Sequence, residues 1–108
     1  MGLDYVDEKM RIVLGGLSGG TAPLQQRLAH ACVPALWGAV HESGSIDCLP
    51  EELQQRLAQI RGRLTSAGSV DATTSQMSDF EAMKCADLLT EIALDVIILA
   101  AKMAGPHV

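Results

Sequence analysis

Apolar positions recur at helical spacing over most of this chain, and the longest uninterrupted pattern runs from Ser78 to Met103. It opens on Ser78-Asp79-Phe80-Glu81, a capping box in which the serine accepts from a backbone N–H three residues on and the glutamate reaches back. No glycine or proline follows until Gly105-Pro106, so one long helix is expected. At about 100° per residue, Cys85, Leu88, Leu89, Ile92, Val96, Leu99 and Met103 share a core face, and Lys84, Asp87, Glu91, Asp95 and Lys102 lie roughly opposite. A second apolar line, Met83, Leu94, Ile97 and Ala101 with Thr90 among them and Ile98 at its edge, predicts a second packing partner. Met83, Leu94, Ile97 and Ile98 are therefore the expected homodimer interface.

Upstream, Asp4 can cap a helix over residues 5–18, with Val6, Met10, Val13, Leu14 and Leu17 inward and its end weakened by Gly15-Gly16. Thr21 and Pro23 resemble a second start. That helix is expected to reach about Glu42, burying Leu24, Leu28, Ala31, Cys32, Ala35, Leu36 and Ala39, with a kink at Pro34. A third helix over about residues 50–65, with Pro50 at its first position, carries the strict seam Leu53, Leu57, Ile60 and Leu64. Residues 66–77 read as a polar connection with room for one short helical turn near 71–76. Strand patterns and internal repeats are absent. The fold class is all-α, a single domain over residues 1–108 forming an antiparallel four-helix bundle. The alternative is a three-helix core with the N-terminal helix docked loosely or exchanged with a second copy.

Composition supports one packed core: 108 residues, 48% hydrophobic, with one Trp, one Tyr and one Phe. A net charge of −5 argues against nucleic-acid phosphates and anionic membranes as partners and suits a basic one. The apolar run from Ile92 to Ala101 is about half of what a bilayer needs and contains Asp95. No secretory signal is read at the N-terminus, and three cysteines without paired spacing suit reduced thiols, so a cytoplasmic protein is expected.

Candidate chemistry is sparse. His30 and Cys32 point apart on a helix, and His30 and His41 are three turns apart, so neither pair forms a metal site. Asp87, Glu91 and Asp95 line one face without the Glu-x-x-His partners of di-metal bundles and read as a solvated face. Cys32 and Cys85 fall on core faces. Cys48, near His41, is the one thiol expected to be exposed. The glycine pairs lack the Gly-Lys-Ser/Thr of a phosphate loop. The most unusual cluster is His30, Trp37 and His41, on the far side of the second helix from its core face, and it is the expected partner-binding patch. Its competing reading turns Trp37 inward at Pro34 as a core residue. The expectation is a non-catalytic, cofactor-free protein–protein interaction module, homodimeric, with an unidentified protein as further partner, from a bacterium or mobile element. Alternatives are a small acidic inhibitor covering a basic site on another macromolecule, and a helical DNA-binding regulator using Arg56, Arg61 and Arg63.

Overall fold

The computed structural model describes residues 3–19, 21–32 and 45–104. Five α-helices, α1 (Leu3–Ser18), α2 (Leu24–Cys32), α3 (Glu51–Leu64), α4 (Val70–Gln76) and α5 (Asp79–Ala104), and a short 3₁₀ turn at Ser45–Cys48 make up the regular structure, with no strand among the described residues. The chain is all-helical. Helix α1 packs on α5 and α2, α2 on α4 and α5, and α3 on α5 and α4, so α1, α2 and α3 all pack against α5.

Helix α5 begins as its capping serine dictates: Ser78 Oγ accepts from the Glu81 N–H at 3.1 Å. Its inner face buries Ala82, Cys85, Ala86, Leu89, Ile92, Ala93, Val96 and Ala100. The expected core stripe holds at its centre and fails at its edges. Leu88 is 39% exposed and Met103 73% exposed, while four alanines occupy the inner positions. Their small size is the reason, since alanine lets a neighbouring helix come close and displaces larger residues to the rim. The α3 seam is as its spacing requires, with Leu53, Leu57, Ile60 and Leu64 all buried.

The starts of three helices differ from the sequence expectation. Helix α1 starts at Leu3, ahead of Asp4 and not after it. It continues through Gly15-Gly16 to Ser18, the end its pattern predicted. There a Cβ on Gly16 would meet the Ala31 Cβ at 3.3 Å, so the glycine admits α2 where a larger side chain would push it away. Both prolines stand one residue before their helices, the Pro23 carbonyl accepting from Arg27 N–H and the Pro50 carbonyl from Gln54 N–H, each at 3.1 Å. The second helix is described only from Leu24 to Cys32. Pro34, Ala35, Leu36 and Ala39 lie outside the described residues.

The connection at 66–77 holds more structure than its polarity suggested. Gly68, at φ +106°, makes the turn out of α3, and Ser69 caps α4 by accepting from Ala72 N–H at 3.0 Å. Val70, Thr73 and Thr74 are buried there. The two threonines can be buried because their hydroxyls are satisfied locally, donating to the Ser69 carbonyl at 2.7 Å and the Val70 carbonyl at 2.9 Å. A fifth helix thus joins the four expected ones.

Two polar side chains pin the helix ends. The Arg27 guanidinium donates to the Leu17 carbonyl at 2.7 Å and the Ala22 carbonyl at 2.9 Å, closing the α1–α2 turn. Gln25 donates to the Met77 carbonyl at 3.2 Å and to Asp79 at 2.9 Å, tying α2 to the α4–α5 junction.

Leu57 is fully buried and Ile60 is 2% exposed, so truncating either to alanine should cost about 2–5 kcal/mol. The double variant should be unfolded by circular dichroism at room temperature. The two helical glycines should behave oppositely. A Cβ on Gly15 meets nothing within 4 Å, so Gly15→Ala should raise stability by about 0.5–1 kcal/mol in a thermal melt, whereas Gly16→Ala should gain less or lose stability through its Ala31 contact.

Candidate protein-binding face

The side chains left over once the core is filled concentrate on α5. Phe80 is 64% exposed, Met83 50%, Leu94 46% and Ile98 51%, and all four lie on the outer side of the helix. Of the expected interface residues, Met83, Leu94 and Ile98 therefore stand in solvent, while Ile97 is half-buried and packs against the core cluster. Phe80 belongs to the same face, which the apolar line from Met83 onward did not include; it stands in the first turn, where no preceding helical turn repeats the period. Its ring lies 5.5 Å from the Lys84 ammonium, a cation–π contact that keeps both at the surface.

Polar residues interleave this face. Asp87 and Glu91 are exposed and Thr90 is half-buried, and none of the three makes a side-chain hydrogen bond or ion pair among the described residues. Asp95, expected in the same solvated row, instead pairs with Arg56 of α3 at 2.7 Å. That pair is half open to water and fixes the orientation of α3 on α5 more than it adds stability.

The second expected patch falls mostly outside the described residues. His30 is exposed in the last turn of α2. Trp37 and His41 lie outside the described residues.

Between the end of α3, helix α4 and the start of α5 runs an open cleft of about 660 Å³, lined by Arg63, Thr73, Met77, Glu81, Lys84 and Cys85 among others. A second, of about 590 Å³, lies between α3 and α5 around Arg56, Ile60, Arg63, Leu88 and Glu91. Burial pushes the Cys85 thiol up, and the Arg63 guanidinium and Lys84 ammonium offset only part of that rise. A thiol held protonated is the reverse of an activated nucleophile. Burial also pushes Cys32 up to about 12, with neighbouring Cys85 adding to the shift. Cys48 is exposed, and burial is again the leading cause of its upward shift. Among the described residues, no group of three or more His, Cys, Asp and Glu side chains is placed to hold a metal. No described helix is long and apolar enough to cross a membrane.

No protein-family model, curated protein or solved structure matches this chain.

The buried thiol makes stability depend on alkaline pH. An unfolded thiol ionises near its ordinary value of 9, whereas folded Cys32 holds its proton to about 12. Above pH 9 the unfolded state therefore binds fewer protons than the folded state, and stability falls as pH rises from 9 toward 12. The slope from this group approaches about 1.4 kcal/mol per pH unit. Urea titrations at pH 8.5 and 10.5 should show a smaller alkaline loss in Cys32→Ala than in the parent.

Proposed function

We propose that this protein is a non-catalytic protein–protein interaction module that forms a homodimer, and that the outer face of α5 is its working surface. The observation carrying this reading is the row of Phe80, Met83, Leu94 and Ile98 on one helix face, each about half exposed or more. These side chains stand in water although α5 already buries a complete inner stripe, so the protein's own core does not account for them. Exposed apolar clusters of this kind, Phe80 with Met83 and Leu94 with Ile98 on one helix face, mark contact with another macromolecule.

The state of the titratable groups supports an interaction role over a catalytic one. Among the described residues the cysteine thiols are held protonated, and Asp87 and Glu91 of α5 project into water. The acidic-inhibitor and DNA-regulator readings draw on surface charge, and Arg56, one of the cations the latter needs, is engaged by Asp95.

Light scattering at tens of micromolar should give twice the chain mass. Leu94→Glu combined with Ile98→Lys should give a folded monomer with unchanged helical content. Ile97 is left intact in this variant because it packs against the core, where a charge would confound folding with association. A monomeric parent protein would refute the homodimer.

A further inference from the structure

Seven positions of α5, Phe80, Met83, Asp87, Thr90, Leu94, Ile97 and Ala101, follow one another at strictly alternating spacings of three and four. This is the seven-residue repeat by which two helices interlock side chains along a seam. It lies on the face outside the core stripe, where Phe80, Met83, Asp87, Leu94 and Ala101 are exposed and Thr90 and Ile97 half-buried. The seam has a further property. Its first six positions run apolar, apolar, polar, polar, apolar, apolar, and so read alike from either end.

Resting on the homodimer reading above, we propose that α5 pairs with α5 of a second copy in antiparallel fashion, about a two-fold axis passing between Leu88 and Leu89. A two-fold there sets each position opposite the one with which its residue number sums to a constant. Phe80 then faces the partner's Ile97, Met83 faces the partner's Leu94, and Asp87 faces the partner's Thr90. Every large apolar side chain of the seam meets another, and the carboxylate meets a hydroxyl that can donate to it. A two-fold axis produces each contact twice.

The flanks agree. Lys84 and Glu91 lie on the same edge of the seam, and in this register Lys84 comes within two residues, about 3 Å along the axis, of the level of the partner's Glu91. Neither makes an ion pair among the described residues. The antiparallel seam supplies each with a partner of opposite sign, again twice. A parallel arrangement in register does the reverse at the centre of the seam, stacking Asp87 on the partner's Asp87, where like charges repel, and it leaves Lys84 and Glu91 on the edge away from the partner's Lys84 and Glu91. Shifting the antiparallel pairing by one residue moves the apolar positions off the seam and sets Asp87 opposite the partner's Glu91 or Leu89. Self-complementarity of sequence, exposure and charge thus selects one orientation and one register.

Engineered disulfides test this directly. In a Cys48→Ser background, which removes the exposed native thiol, Met83→Cys with Leu94→Cys should form a covalent dimer on mild oxidation. Met83→Cys alone should not, because the two Met83 positions lie about 16 Å apart along the axis in this register. Separately, Lys84→Glu and Glu91→Lys should each raise the dimer dissociation constant roughly tenfold, and the two combined should restore it. Cross-linking of Met83→Cys alone, or failure of the combined charge variant to recover, overturns the register. A parent protein that dimerises while the double cysteine variant does not cross-link overturns the register but leaves the homodimer standing. A monomeric parent overturns both.

Discussion

Close approach to α5 is the constraint from which the architecture follows. Ala82, Ala86, Ala93 and Ala100 occupy its inner face, and Gly16, Ala29 and Ala31 sit at small-residue positions of α1 and α2. Helix backbones can near one another only where side chains are this small, and the rest of the core, chiefly Leu, Val, Ile and Met, then fills the space left above and below. Among the described residues no aromatic ring is buried; Tyr5 is half-buried and Phe80 exposed. The described interior is thus many small aliphatic contacts, and single truncations on α3 carry correspondingly large effects.

The same constraint explains why α5 has two apolar faces with different fates. Alanines bring neighbours in tightly, so the inner face is satisfied by a narrow stripe and larger residues at its margins are displaced outward. Leu88 shows this on the side facing α3, where it lines a cleft with Ile60 and Arg56. Phe80, Met83, Leu94 and Ile98 lie farther round, beyond reach of the other described helices, and their exposure is what gives the protein a surface to use. Polar contacts act alongside as fasteners: Arg27 closes one turn, Gln25 ties a helix start to a distant junction, and Arg56 with Asp95 orients α3.

The cleft at the end of α3 gathers charged groups around a buried thiol. A thiol, two cations and a carboxylate lie within one concave region, yet burial dominates the thiol and keeps it protonated.

Much of the fold was legible in the sequence, for a simple reason. Helical periodicity, the Ser78 cap and the α3 seam are local properties, expressed within a few turns, and a strictly spaced seam such as Leu53, Leu57, Ile60 and Leu64 has only one face to bury. The second apolar line of α5 was legible on the same ground, and so was the exposure of most of it. Tertiary structure decided the rest. Whether Gly15-Gly16 ends a helix depends on Ala31 arriving from another helix, and whether a polar stretch such as 70–76 folds depends on where Thr73 and Thr74 find acceptors. Which residues of α5 are innermost depended on how closely α1 and α2 can approach, a distance set by side chains far away in sequence. Periodicity assigns a residue to a face; only packing determines how wide that face is.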